Sequence, residues 1–293
     1  MCVGFYTLEH PEYALVLCSN RDEFLERPTD PACFHSFDKP KEHHDDPPEG
    51  NILSGIDVRA GGTWLGVNRS GRLAFLTNIT EEYKTYGSSR GDLVANFLSS
   101  NSEEDVQSLI SPDTKYAGFN LLLLTPSTRG EHDLIFDGTY VTNHGGGGTL
   151  IVRPLTDTER RHGGMSNGID GKGAETWPKI QHGLHLFKSI MKAVSSTTPE
   201  KDLADDLFEL LTWKSSQPPS ARSELRNTVQ VEAFKIPGSQ EFYGTRLSTV
   251  ILVKRTGEVL FIERDMWKLV DAKPVLSDHS SQREFRFMLQ PVH

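Results

Sequence analysis

Short apolar blocks separated by polar turns fill the first half of the chain, which is the signature of strands rather than helices. Residues 3–8 and 13–19 are apolar and carry β-branched and aromatic side chains, with Glu9, His10, Pro11 and Glu12 between them, so they read as a hairpin. Residues 61–67 and 73–77 flank Asn68, Arg69, Ser70 and Gly71 and give a second hairpin signal. Between the two lies the stretch 37–51, rich in His, Asp, Pro and Lys, which reads as a solvated loop. The strand pattern continues at 118–125, 133–136, 139–143 and 150–153, interrupted by four consecutive glycines at 145–148.

Helical spacing is confined to three places. Leu93, Val94, Phe97 and Leu98 predict a short helix. Trp177, Ile180, Leu184, Phe187, Ile190, Met191 and Val194 form an apolar stripe opened by Thr176 and Pro178. Leu203, Leu207, Leu210 and Leu211 repeat it, with Thr198 as the N-cap candidate and Pro199 at the first position. Strands return at 248–253 and 258–263, around Lys254, Arg255, Thr256 and Gly257, and again at 284–289. With no internal repeat and no dividing linker, the expectation is one domain over 1–293, of α+β class with mainly antiparallel sheet.

Composition narrows the functional classes. The 293 residues can enclose a substantial core, and 31 basic against 40 acidic residues give a net charge of -9, so no overall positive field would attract nucleic acid. Three cysteines, Cys2, Cys18 and Cys33, form no CxxC pair and no disulfide framework, which points to a reducing compartment. No secretory leader and no apolar run of about 20 residues is present, so a cytoplasmic protein without an integral membrane segment is expected.

Cys2 carries the strongest chemical signal. Removal of Met1 would leave a thiol beside its own α-amine, whose reference pKa of about 7.7 to 8.0 suits a base for a neighbouring nucleophile. Pairing Leu8 with Tyr13 across the turn makes partners sum to 21, which sets Cys2 opposite Ser19 and beside Asn20, Arg21, Asp22 and Glu23. In that setting Arg21 would hold a thiolate and Asp22 would orient the α-amine. The competing reading is a charged turn in which Arg21 pairs with Glu23 or Glu26.

The motifs converge on a family. Met1-Cys2, Ser19-Asn20-Arg21-Asp22-Glu23-Phe24 with Arg27-Pro28, Gly61-Gly62-Thr63-Trp64-Leu65-Gly66, Leu76-Thr77-Asn78, Arg90-Gly91-Asp92-Leu93-Val94, Gly118-Phe119-Asn120-Leu121, Ser166-Asn167-Gly168, Trp177-Pro178-Lys179 and Gly244-Thr245-Arg246 occur in order. Together they resemble the NRDE family over almost the whole chain. The resemblance implies a four-layer αββα sandwich of the N-terminal-nucleophile (Ntn) hydrolase kind, similar to the choloylglycine hydrolase and penicillin V acylase group. Carried over, Cys2 would be the nucleophile, Arg21 and Asp22 its electrostatic partners, Asn78 and Asn167 oxyanion donors, and Arg246 a late active-site arginine. In those hydrolases the early Arg and Asp are separated, whereas here they adjoin, and adjacent strand residues point apart.

The family's associations are haem mobilisation, Golgi organisation, secretion, and lipid and coenzyme A metabolism. They imply a haem trafficking chaperone, with contacts to Golgi or mitochondria and haem or acyl coenzyme A as a small-molecule ligand. The alternative is an N-terminal cysteine amidohydrolase acting on linear acyl-amide bonds, for which no cofactor is required. No Cys-Pro dipeptide and no CxxCH is present, so a haem ligand is not legible. His43, His44, Asp45 and Asp46 lack the spacing that converges on a metal ion, and none is expected. Glycines 145–148 lack the Lys-Ser/Thr of a P-loop, and Arg153, Arg160, Arg161 and His162 read as a surface cluster.

Overall fold

The structure, a computed structural model, describes residues 2–37, 50–82, 84–100, 114–129 and 133–290. The strands are β1 (Val3–Thr7), β2 (Tyr13–Phe24), β3 (Thr29–His35), β4 (Ile52–Asp57), β5 (Leu65–Asn68), β6 (Leu73–Asn78), β7 (Phe119–Arg129), β8 (Asp133–Thr142), β9 (Ile151–Pro154) and β10 (Gly163–Met165). They continue with β11 (Phe234–Lys235), β12 (Phe242–Lys254), β13 (Glu258–Asp265), β14 (Trp267–Val270), β15 (Lys273–Leu276) and β16 (Arg283–Met288). The described α-helices are α1 (Arg90–Ser99), α2 (Asp157–Arg161), α3 (Pro178–Ala193) and α4 (Glu200–Leu211).

The chain divides into two compact units, each gathered from separate segments. The first comprises Met1–Arg27, Thr128–Ile135 and Thr156–Phe287, and the second Pro28–Ser127, Phe136–Leu155 and Met288–His293. Each is built on a seven-stranded sheet. In the first the order is β10-β1-β2-β12-β13-β16 with β11 on β12, and in the second β3-β4-β5-β6-β7-β8-β9. The β1–β2, β1–β10, β2–β12 and β12–β13 ladders are antiparallel, as are β3–β4, β4–β5, β5–β6, β6–β7 and β8–β9. The α+β class with mainly antiparallel sheet is therefore what the chain adopts. No described helix is long and apolar enough to cross a membrane.

Helices cover one face of each sheet. In the first unit Ile180, Phe187 and Met191 of α3 and Leu203, Leu207 and Leu211 of α4 pack on Val3, Phe5, Val16, Cys18, Val250 and Leu252 of the sheet. Gly183 allows the closest approach, because a Cβ there would sit 2.0 Å from the Phe5 ring. In the second unit Leu93, Val94, Phe97 and Leu98 of α1 pack on Ala74, Leu76, Leu121 and Leu123. Leu122 and Leu124 on the opposite face are equally buried, which is why this strand reads as a continuous apolar run rather than an alternation.

The first hairpin forms, with a register different from the tight-turn expectation. Val3 pairs with Asn20, Gly4 with Ser19 and Phe5 with Cys18, so partners sum to 23 rather than 21. Leu8 does not face Tyr13. Its N–H donates to Arg160 O at 2.8 Å, and Tyr13 pairs with Lys254 instead. Since the slip is two residues, every side chain keeps its face. Helix α4 begins one residue later than expected, with Pro199 at the N-cap. Helix α3 begins at Pro178 after Trp177. Missed from sequence were α2, opened by a capping box between Thr156 and Glu159, the strands β3, β4, β10 and β11, and the β14–β15 hairpin.

Candidate active site

The first strand pair assembles the site. Cys2 stands one residue before β1, and continuing the register from the Val3–Asn20 pair brings it alongside Arg21. Strand β2 does not turn after Ser19. It runs to Phe24, and Asn20, Arg21 and Asp22 are buried inside the sheet. The charged-turn reading of Arg21 is thereby corrected, because the strand is held on its far side by β12, where Arg21 pairs with Leu247 and Asp22 with Thr245. Glu23 instead lies 4.0 Å from Arg27.

Asp22 is anchored by three side chains. Its Oδ1 accepts from Thr245 Oγ1 at 2.6 Å, and its carbonyl accepts from Tyr243 OH at 3.0 Å and from the Cys2 thiol at 3.9 Å. Thr245 Oγ1 in turn accepts from Val231 N at 2.8 Å, so the Asp22 carboxylate is tied to the segment that follows α4. Asn20 braces the sheet against that same segment. Its amide donates to Leu211 O at 2.9 Å and Val229 O at 3.1 Å, while its Oδ1 accepts from Ser248 Oγ at 2.6 Å.

Arg246 occupies a special place. It is the extra residue between Thr245 and Leu247 in a β-bulge of β12 opposite Arg21 and Asp22. Its guanidinium donates to Phe24 O at 3.4 Å and to Arg27 O. Those bonds hold the end of β2. Asn167 is buried next to Ser166, whose hydroxyl donates to Cys2 O at 2.8 Å and lies 3.3 Å from Asn167 Oδ1. Asn78 belongs to the second unit, at the end of β6, where it pairs with Phe119. Met1 lies outside the described residues, as do His43, His44, Asp45 and Asp46.

One member of the site escapes a reading of the sequence. Lys179, in the first turn of α3, is fully buried, and its ammonium donates to Cys2 O at 3.4 Å. Its row on the helix is Lys179, Gly183, Phe187 and Met191, four residues apart and all buried, so the available signal is a lysine in line with an apolar stripe. Burial lowers its pKa to about 8, with Asp22 and Cys2 pulling the other way. Burial also pushes the Cys2 thiol up, opposed first by the chain's α-amino group, with Asp22 adding to the rise and Arg21 opposing it least. Arg21 therefore does not by itself produce a thiolate. Tyr243 is raised well above the ordinary phenol range, chiefly by burial and then by Asp22.

Two other features resolve as internal structure. In the second unit the loop through glycines 145–148 folds around a carboxylate: Glu81 accepts from Gly118 N at 2.6 Å and Gly146 N at 2.7 Å, so an anion of the chain's own occupies the amide cradle. Arg160 pairs with Glu9 at 3.4 Å, Arg161 donates to Asp157 O at 3.2 Å, and Arg153 stacks on Tyr140 at 4.5 Å. Among the described residues no group of three or more His, Cys, Asp or Glu could hold a metal ion.

The family model described as Transport and Golgi organisation 2 matches residues 1–268. The human Transport and Golgi organization protein 2 homolog is 32% identical over 293 residues, covering 91% of this chain and 93% of that protein. Among solved structures, the chain is similar to a Caenorhabditis elegans N-acylethanolamine-hydrolyzing acid amidase ortholog, with 12% identity, 86% and 92% coverage and a TM-score of 0.48. It is also similar to a mutant conjugated bile acid hydrolase from Clostridium perfringens, with 9% identity, 99% and 97% coverage and a TM-score of 0.49.

Proposed function

From the premise that this chain belongs to the Transport and Golgi organisation 2 family, we propose that the grouping around Cys2 is an acyl-transfer site acting on linear acyl-amide or acyl-thioester bonds. The observation that supports it is the buried grouping of Cys2 with Arg21 and Asp22 of β2, Lys179 of α3 and Asn167 after β10 at one end of a sheet. Charged side chains are seldom buried together unless paired or employed, and perturbed groups of this kind concentrate at functional sites.

The chemistry follows from the roles. With Met1 removed, the Cys2 α-amine takes the thiol proton as Sγ attacks the acyl carbonyl. The oxyanion is met by Asn167, and Arg21 and Lys179 contribute positive charge to the site. The C–N or C–S bond then breaks, with the proton passing to the leaving amine or thiol, and water hydrolyses the Cys2 thioester to release the acid and restore the thiol. Asp22 orients the α-amine. Arg246 has a supporting part, fixing the end of β2.

A second reading, carriage of haem or acyl coenzyme A in transport and Golgi organisation, is favoured by the burial that raises the Cys2 thiol, since a protonated sulfur is a poor nucleophile. One experiment separates the two: hydrolysis of N-acyl amino acids and acyl coenzyme A alongside haem titration by absorbance, for wild type, Cys2→Ala and Cys2→Ser. Turnover lost by orders of magnitude in both variants is the expected result. Saturable haem or acyl coenzyme A binding without Cys2-dependent turnover overturns it in favour of the carrier.

A further inference from the structure

Cys2 lies just outside the sheet. The ladder of β1 with β2 begins at Val3 and that with β10 at Gly4, so no strand pairing holds Cys2 itself. Two side chains from other elements reach its carbonyl oxygen: Ser166 Oγ at 2.8 Å, just after β10, and Lys179 Nζ at 3.4 Å, from α3. Lys179 is a costly choice for this. Its ammonium is fully buried and lies in the first turn of a helix, where the macrodipole disfavours a cation. A hydroxyl or an amide would bond a carbonyl without that cost, so the charge itself calls for a reason.

The charged and titratable groups acting on Cys2 supply one. They are the chain's α-amino group, Asp22 and Arg21 from β2, Lys179 from α3 and Tyr243 from β12. Asp22 offsets one of the cations, and Lys179 is the one that also bonds the Cys2 carbonyl. We propose that Ser166 and Lys179 are positioning residues for Cys2: they clamp its carbonyl one residue beyond the sheet, and the Lys179 ammonium supplies the positive charge that holds a thiolate there. This rests on the reading of Cys2 as the reactive group, but it is tested on the thiol itself.

The test measures alkylation of Cys2 by iodoacetamide in the full chain, with its N-terminus defined by intact mass and the adduct located by peptide mass spectrometry, from about pH 6 to about pH 10. Removing the neighbouring cation should lower the Cys2 rate at neutral pH, where Lys179 is charged, about tenfold or more in Lys179→Met, with the gap to wild type closing above about pH 8 as Lys179 loses its proton. Lys179→Arg, which keeps the charge, should restore the neutral-pH rate. Ser166→Ala should slow the reaction by the same factor at every pH. A Lys179→Met profile that overlays wild type, or a Lys179→Arg rate at neutral pH as low as that of Lys179→Met, overturns the proposal. Where Lys179→Met does not fold, Lys179→Arg and Ser166→Ala decide, and Ser166→Ala at the wild-type rate sinks the clamp. Absence of Cys2-dependent turnover counts against acyl transfer and leaves these thiol readouts intact.

Discussion

Two thiols, Cys18 within a sheet and Cys2 just beyond its first strand, sit in opposite surroundings. Cys18 faces the helices from the middle of β2, among Val3, Val16, Phe187 and Leu207, and burial alone raises its pKa far above the ordinary thiol range. Cys2 is also buried, but its neighbours are a carboxylate, a guanidinium and an ammonium that enter from β2 and α3. The difference shows that burial does not distinguish a structural cysteine from a working one. What distinguishes them is whether charges were buried with the sulfur, because those charges cost stability and have no packing value.

The largest expected effect is the contrast in reactivity itself. Cys18 is reachable only when the sheet opens, so its modification is limited by an opening free energy, whereas Cys2 lies outside the strand ladders and needs only local motion. Under native conditions Cys2 should be alkylated about a thousandfold faster than Cys18, read by peptide mapping of a time course. Equal rates would erase the comparison.

Next is the pH dependence that Lys179 imposes. Its folded pKa of about 8 lies below its ordinary value, so between about pH 8 and about pH 10.5 the unfolded chain binds more protons than the folded one. Stability therefore rises with pH across that window, by up to about 3 kcal/mol, as the folded state sheds a buried charge. Cys2 and Tyr243, whose pKa values are raised, act in the opposite sense at high pH, so the quantity to follow is the difference between wild type and Lys179→Met in urea midpoints. A difference that stays flat with pH would remove the buried cation from the comparison.

Packing between α3 and β1 comes third. Gly183→Ala drives a methyl into the Phe5 ring, which should cost about 1–3 kcal/mol as overpacking. Since Gly183 lies one turn after Lys179, the same substitution should slow Cys2 alkylation, whereas a change confined to stability would uncouple the helix from the site.

How much of this was legible depends on where charge falls. The apolar stripes of α1, α3 and α4 announced those helices because one face of each packs on a sheet, and the strands of the first hairpin were clear as far as Ser19. Beyond it, Asn20, Arg21, Asp22 and Glu23 carry no strand signal, since only tertiary cover from β12 makes a buried strand of them. The proximity of Cys2 to Arg21 was readable in spite of a register two residues off, because an even slip preserves faces. The bulge at Arg246 leaves no trace in composition, and the β14–β15 turn places Asp271 and Ala272 at positive φ without the Asn-Gly that normally marks such a turn. Lys179 stands out only as part of the Trp177-Pro178-Lys179 motif, because a lysine in a first helical turn is ordinarily solvated.

The smallest effect, and the sharpest control, is Cys18→Ser. The substitution keeps size nearly constant while placing a hydroxyl in an apolar cluster, where an uncompensated polar group costs about 1–3 kcal/mol in proteins. Cys18 meets the Phe5 backbone across the β1–β2 ladder, and a hydroxyl can use that same neighbour, which puts the expected loss at the low end, about 1 kcal/mol. Phe5 lies three residues from Cys2, but the Cys2 carbonyl is held by Ser166 and Lys179 rather than by this pair. Cys18→Ser should therefore lower the urea midpoint slightly and leave the Cys2 alkylation profile where it was. A shift in that profile would mean that the apolar middle of the sheet and its charged end act as one region, and that the contrast between the two thiols is one of degree.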